Sequence, residues 1–271
     1  MSQEIRQVVY DTVLNVEAYG FHGIMQKFPN HFHDYYVIGF IEKGERKVTC
    51  GGTEALAEAG DLILFNPEQC HACEQADGGS LDYRCINIQP DIMRRAAYEI
   101  TGRNDLPRFN RQIIRGSELV PQLAELHRLI MEQGSELQRE ERFYFLLSRL
   151  IEEYANNTHY EYEPQSDESL AVRLYIEEHY AENISLNGLA KLTGFSKYHL
   201  LRIFTKENGI TPYSYLSTVR IDKAKKLLKD GVTPLETALS TGFSDQSHFT
   251  NFFKRLIGLT PKQYMNIFKD K

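Results

Sequence analysis

The sequence predicts an α+β fold in two domains, a β-barrel followed by an all-helical domain with two helix-turn-helix units. Three observations support this. Up to about Gln89 the chain has short β-branched and aromatic runs separated by Gly, Pro and Asn. After about Pro90 the apolar residues recur at helical spacing. The last hundred residues contain one sequence pattern twice.

The bulk composition is that of a globular protein. The chain has 271 residues, 42% hydrophobic and 25% charged, which suits two domains. It has no run of about 18 apolar residues, and its N-terminus lacks an apolar signal core. We therefore expect a cytoplasmic protein with no membrane partner. Four cysteines are too few for a disulfide scaffold, and Cys70-x-x-Cys73 alone is a weak zinc signature.

The barrel is predicted from the strand-like runs Y-Y-V-I-G-F-I, R-K-V-T-C, D-L-I-L-F and Y-R-C-I-N-I. Regularly spaced short strands favour a closed barrel or a sandwich. We assign this domain to residues 1–115.

Two helices are predicted after the barrel, Ser117–Gln133 and Glu136–Asn157, within residues 116–158. The second has a broad apolar face that suits a partner helix, which predicts a homodimer. Charging Leu147 or Leu150 should then give monomers. The polar and acidic residues 159–168 are predicted to be a linker.

The all-helical domain is predicted over residues 169–271, because start and stop signals follow each other closely. Ser196 can cap Lys197–Asn208, with Gly209 as its end. Thr211-Pro212 opens a long helix to about Lys229, and capping-box patterns open two later helices.

The repeated pattern defines two helix-turn-helix units, about 185–208 and 233–257. Their T-G-F-S strings lie 48 residues apart. Gly194 and Gly242 fall where the chain turns sharply between helices, a position that favours positive φ. Phe195 and Phe243 follow as apolar plugs of the helical core.

The charge distribution supports contact with double-stranded DNA. Residues 168–271 carry 15 Lys and Arg against 10 Asp and Glu, whereas residues 1–167 carry 16 against 27. The second helix of each unit has donor-rich residues on its outer face, suited to a major groove. The predicted DNA-binding residues are Lys197, Tyr198, Leu201, Arg202, Gln246, Ser247, Thr250, Asn251 and Arg255.

The motifs G-F-S-x-x-H-L-x-R-x-F and G-F-S-D-Q-S-H-F-x-x-x-F-K-R, each followed by G, P and Y, resemble the DNA-binding domain of AraC/XylS-type transcription regulators. The resemblance covers about residues 168–268. It implies base contacts from Tyr198, Leu201 and Arg202 and from Gln246, Ser247 and Asn251. Asn251 stands where many members carry Arg, and Leu201 is apolar, so base preference cannot be transferred from relatives.

The N-terminal half resembles a cupin barrel, the usual sensor of such regulators. His31-Phe32-His33 opens a strand whose alternation places His31, His33, Tyr35 and Val37 on one face. A metal-binding cupin has Glu where this chain has Val37. The candidate ligand-binding residues are His31, His33, Tyr35, Asn66, His71, Tyr83 and Arg84, of which Tyr83 and Arg84 have opposite strand phases.

Three uses of the histidines stay open: contacts to a small organic effector, which we favour, a structural role, or a divalent metal on His31, His33 and His71. The resemblance implies a ligand-responsive regulator that is not an enzyme, with no catalytic residues and no cofactor, and with RNA polymerase as a further partner. The alternatives are a metal-dependent cupin enzyme fused to a DNA-binding domain, and an effector-independent regulator with a structural barrel.

Overall fold

The fold is described from a computed structural model covering residues 4–76, 78–155 and 166–268. These residues form two compact units: the first comprises residues 4–27, 33–69, 73–76 and 78–155, and the second comprises residues 28–32, 70–72 and 166–268. We call them the N-terminal and C-terminal units. The predicted linker lies largely outside the described residues, and the predicted domain boundaries stay predictions. Among the described residues, no helix is long and apolar enough to cross a membrane.

The ten strands of the described residues form two sheets. The first has the order β1-β2-β9-β4-β7-β10, and its neighbouring strands run antiparallel. The second has the order β3-β8-β5-β6. The strands are β1 (Ile5–Asp11), β2 (Val16–Ile24), β3 (Phe28–His31), β4 (Tyr36–Lys43), β5 (Glu45–Cys50), β6 (Thr53–Glu58), β7 (Leu62–Phe65), β8 (His71–Gln75), β9 (Leu81–Ile88) and β10 (Ile113–Ile114).

The turn between β4 and β5 requires glycine. Gly44 has φ +86°, and a Cβ there would lie 2.3 Å from the carbonyl oxygen of Ser80. One predicted strand is interrupted, however. The segment 32–35 lies between β3 and β4, so His31, His33, Tyr35 and Val37 do not alternate along a single strand.

Three helices cover the first sheet: α1 (Pro90–Thr101), α2 (Val120–Met131) and α3 (Glu136–Tyr154). Strand residues such as Ile86 and Ile88 join helix residues such as Leu123 and Leu147 in one core. Helix α1 was not named in the sequence analysis, although Pro90 begins it and Gly102 ends it in the left-handed conformation.

The proposed dimer seam needs a correction. Leu147 and Leu150 are both 0% exposed and belong to the core of their own chain. The broad apolar face of α3 therefore packs within its own chain, where α3 contacts α1 and α2. A charge at either position would disrupt folding before it tested association.

The C-terminal unit is helical, with elements α4 (Asp167–His179), α5 (Leu186–Thr193), α6 (Lys197–Asn208), α7 (Pro212–Lys229), α8 (Pro234–Ser240), α9 (Gln246–Ile257) and α10 (Pro261–Asn266). Each begins behind a Ser, Thr or Asp whose side chain accepts a hydrogen bond from the first turn. Thr233 and Thr260 complete capping boxes with Glu236 and Gln263. The helix starts and stops therefore follow from local capping chemistry.

Candidate DNA interface and ligand domain

The first helix-turn-helix, which we call HTH-A, consists of α5 and α6. Gly194 turns the chain with φ +72°, and the Ser196 hydroxyl accepts from the His199 backbone N–H at 3.2 Å. Leu200 and Phe204 point into the helical core. Since side chains three and four apart share a face, this orientation turns the intervening residues toward solvent.

The predicted contact residues of α6 all lie on that outer face. Lys197 and Arg202 are exposed, Tyr198 is 75% exposed and Leu201 is at the border of exposure. Two cations and a phenol hydroxyl are thus presented around an apolar side chain, which suits phosphates and base edges.

The second unit, HTH-B, consists of α8 and α9. Asp245 is the N-cap of α9, and its side chain accepts a hydrogen bond from the His248 backbone N–H at 2.7 Å. That hydrogen bond holds the pKa of the Asp245 carboxyl below its usual value. The carboxylate therefore positions the helix start.

The predicted contact residues of α9 are outward-facing as well. Gln246, Ser247, Asn251 and Arg255 are exposed, while Thr250 is half-buried. The Arg255 guanidinium lies over the Phe252 ring, with Cζ 4.8 Å from the ring centroid. The first turns of α9 thus present mostly uncharged amide and hydroxyl groups, and its cations, Lys254 and Arg255, lie in the last turn.

The two motif histidines pack against aromatic rings. His199 makes an edge contact with Phe195, and His248 makes edge contacts with Phe243 and Phe252. Phe243 is buried and also contacts Phe249, whereas its counterpart Phe195 is half-buried. The aromatic plug is therefore better developed in HTH-B.

Residues of β9 divide between two faces of the first sheet. Ile86 and Ile88 pack toward the helices, so alternation turns Tyr83, Cys85 and Asn87 to the opposite, inner face. The Tyr83 ring lies over Gly39, where a Cβ would come 2.2 Å from its hydroxyl oxygen. Burial raises the pKa of Tyr83 well above its usual value, so the phenol is neutral.

Arg84 lies on the outer face and forms a bidentate ion pair with Glu42, at 2.8 and 2.9 Å. Tyr83 and Arg84 therefore have opposite orientations, as their strand phases predict.

The inner face of the first sheet also contains polar residues that the sequence analysis did not single out. Glu17 pairs in register with Asn87, and Tyr19 pairs with Cys85. The Tyr19 hydroxyl donates to Glu17 at 2.8 Å. A carboxylate, a phenol and an amide on adjacent inner positions could bind a polar ligand. The alternation of residues along β2 is the sequence signal that could have identified Glu17 and Tyr19.

The remaining candidates have structural neighbours. The His31 and His71 rings lie 4.6 Å apart, and His33 stacks on Tyr35. The Asn66 side chain donates to the Phe109 carbonyl and accepts from the Phe109 N–H, so its amide holds that segment in place.

His31 and His71 belong to the C-terminal unit, whereas His33 belongs to the N-terminal unit. Burial lowers the pKa of His31 to about 4, so its ring is neutral at pH 7. The group His22, Glu42 and Asp82, which could hold a metal, has Glu42 already paired with Arg84.

Two family models match the chain. One, described as an AraC-like ligand binding domain, matches residues 13–147, and a helix-turn-helix domain matches residues 189–267. The chain is 57% identical over 249 residues to the uncharacterized HTH-type transcriptional regulator YbfI of Bacillus subtilis strain 168, covering 92% of this chain and 90% of that protein.

More distant relatives align over most of their length. The transcriptional activator RhaS of Escherichia fergusonii is 26% identical, covering 87% of each chain. Among solved structures, an apo form of ToxT from Vibrio cholerae strain SCE256 aligns with a TM-score of 0.56 at 16% identity, covering 96% of this chain and 100% of that one.

These matches confirm the predicted family and fold class. The ligand-binding domain precedes the helix-turn-helix domain, in the order that the sequence predicts. The chain belongs to the AraC family of helix-turn-helix transcription regulators, DNA-binding proteins that respond to a ligand bound by their N-terminal domain.

Proposed function

We propose that the protein binds two successive major grooves, α6 entering one and α9 the other. The observation that carries this proposal is the matched exposure of the two second helices. On both, the core residues face inward and the polar residues face solvent. Helix α7 between the units has 18 residues and is about 27 Å long, comparable with the ~34 Å of one duplex turn.

The two units would contribute differently to binding. HTH-A presents Lys197 and Arg202, which can neutralise phosphates and bind guanine, whereas HTH-B presents Gln246, Ser247 and Asn251. We therefore propose that HTH-A supplies more of the affinity and that the bound site is asymmetric.

Selection from a random 40-base-pair duplex pool with the purified full chain tests this proposal. We expect a bipartite site whose halves differ in sequence. Arg202→Ala should weaken binding and reduce its salt dependence, while Asn251→Ala should relax base preference in one half-site. Equal effects of the two substitutions on affinity and salt slope would contradict the division of roles.

We further propose that the effector binds on the inner face of the first sheet, near Glu17, Tyr19, Tyr83 and Asn87. The support is the polar character of this face. The adjacent residues Tyr83 and Arg84 provide a matched test. In a thermal-shift screen of metabolites, Asn87→Leu and Tyr83→Phe should remove the stabilisation by a hit compound, and Arg84→Gln should retain it. Loss of stabilisation only in Arg84→Gln would place the effector elsewhere.

The proposal excludes catalysis. The support is that relatives of the chain are named as transcriptional regulators. Metal analysis of the purified protein distinguishes a non-catalytic regulator from a metal-dependent enzyme, since near-stoichiometric iron, manganese or zinc would favour the enzyme.

We also propose that the protein forms a homodimer, and that the contact surface is the exposed face of α3 and not its buried face. Leu137, Glu141 and Phe145 lie on that face, and Phe145 is 57% exposed. In an antiparallel pair centred on Phe145, Glu141 would oppose Arg149 of a second copy, because each lies four residues from the centre. The face is thus self-complementary in charge.

Sedimentation of Phe145→Asp tests this surface. We expect monomers, while Leu174→Asp, which changes a similarly exposed leucine on α4, should leave the oligomeric state unchanged. A dimeric Phe145→Asp variant would move the contact away from α3. A cytoplasmic location and contact with RNA polymerase stay predictions.

A further inference from the structure

Arg220, on α7, makes the first of two connections between the helix-turn-helix units. Its Nε donates to the Tyr180 carbonyl oxygen at 2.7 Å, and its Nη2 donates to the Glu182 carbonyl oxygen at 2.9 Å. These carbonyls follow α4 and precede α5, so one guanidinium fixes the segment that leads into HTH-A. Charge-assisted hydrogen bonds of this kind are directional.

The same guanidinium contacts HTH-B. Its Cζ lies 5.8 Å from the centroid of the Phe243 ring, in a cation–π arrangement. Phe243 follows the turn of HTH-B and packs in its aromatic core. Arg220, about halfway along α7, therefore touches both HTH-B and the segment that leads into HTH-A.

Gly242 makes the second connection. A Cβ at Gly242 would lie 2.7 Å from the Ala181 carbonyl oxygen and 2.9 Å from Arg220 Nη2. The turn of HTH-B is thus pressed against the segment held by Arg220. Real Cβ atoms do not approach backbone this closely, so any side chain at position 242 would push HTH-B away from the segment that leads into HTH-A.

The equivalent glycine of HTH-A, Gly194, makes no such close approach to the described atoms. Gly194 has φ +72° and Gly242 has φ +78°, so both turns need the left-handed conformation. At Gly194, however, no described atom outside its chain neighbours lies within 4 Å of the Cβ position. Position 194 needs a glycine only for its backbone conformation. Position 242 needs a glycine for the same reason, and also because HTH-B packs closely against the segment that leads into HTH-A.

We propose that Arg220 and the Gly242 contact clamp HTH-A and HTH-B in one relative orientation, so that the protein selects a single spacing between its two DNA half-sites. Arg220 is on this view a positioning residue that determines specificity without touching a base. Once one unit is bound, the other binds as an intramolecular event, and a fixed orientation favours one spacing over all others. The inference rests on the proposed binding of two grooves.

The test uses the full chain and the duplex that wild type selects from the random pool. Three derivatives are made: one base pair inserted between the half-sites, one base pair deleted, and one half-site scrambled. One base pair rotates the second half-site by about 35°, so wild type should lose about tenfold or more on insertion or deletion.

For Arg220→Ala we expect weaker binding to the selected duplex and unchanged affinity for the scrambled duplex. The affinities of this variant for the selected, inserted and deleted duplexes should lie within about threefold of one another. Gly242→Ala should behave in the same way. Gly194→Ala introduces the same left-handed backbone strain but should keep the wild-type spacing penalty. This control separates the loss of the clamp from a general loss of folding stability.

Two results would overturn the inference. If Arg220→Ala and Gly242→Ala keep the wild-type ratio between selected and shifted duplexes, the units are not clamped by these contacts. If wild type binds the scrambled duplex as tightly as the selected one, the two-groove proposal fails first and the clamp with it.

Discussion

Gly39→Ala should destabilise the N-terminal unit because of one close approach on the inner face of the sheet. A methyl group at position 39 would lie 2.2 Å from the Tyr83 hydroxyl oxygen, 2.6 Å from its Cζ and 2.8 Å from the Cys85 Cβ. Overpacking of this kind costs about 1–3 kcal/mol, against about 0.5–1 kcal/mol gained by replacing a strand glycine. We expect a net loss of about 1–2 kcal/mol in the free energy of unfolding.

The chain supplies a matched control and a second background for the test. At Gly20, on β2, the nearest atoms to a Cβ are His127 Cε1 at 3.8 Å and Met131 Cε at 3.9 Å, an ordinary contact distance. Gly20→Ala should therefore be neutral or stabilising. Tyr83→Leu removes the ring that the new methyl group meets, so Gly39→Ala should cost less stability in the Tyr83→Leu background than in wild type.

Urea denaturation of the full chain, followed by circular dichroism, measures these differences. Because the chain has two units, the comparison uses the transition that Gly39→Ala shifts. A Gly39→Ala variant as stable as Gly20→Ala would refute the packing described for Tyr83. An equal cost of Gly39→Ala in the wild-type and Tyr83→Leu backgrounds would refute it as well.

Other predictions concern pH, packing and metal. Burial lowers the pKa of His127 to about 4 from 6.5, so below pH 6.5 the unfolded chain binds a proton that the folded chain does not. His127 should therefore contribute about 3 kcal/mol to the fall in the free energy of unfolding between pH 6.5 and 4, and His127→Gln should reduce that fall by about the same amount. Leu147→Asp should unfold the N-terminal unit, measured as loss of its cooperative transition, and a folded monomer would instead restore Leu147 to the dimer surface. Chelator treatment should leave the melting temperature of the purified protein unchanged, and a large drop would favour the metal alternative at His31, His33 and His71.

The local parts of the fold were predictable because their causes are local. Ser196 and Gly209 bound α6 as the sequence predicts, since a cap acts within one turn of the helix end. The repeat likewise located Gly194 and Gly242 at turns with positive φ. Opposite orientations of Tyr83 and Arg84 followed from strand alternation.

Features that depend on distant residues were not predictable from the pattern. The apolar periodicity of α3 showed which face is buried, but Leu147 and Leu150 proved to be covered by their own chain. Strand alternation failed across residues 32–35, where the chain bends between β3 and β4. The contact of Gly242 with Ala181 joins residues 61 positions apart, and nothing in either local sequence distinguishes Gly242 from Gly194.

The spacing dependence of DNA binding tests the central claim most directly, because it requires two recognition helices held in one orientation. Measured with full-length wild type on the selected duplex and on duplexes with one base pair inserted or deleted, the affinity should peak sharply at one spacing, and the two half-sites should differ in sequence. A flat response to spacing, or two identical half-sites contacted by one chain, would contradict the account.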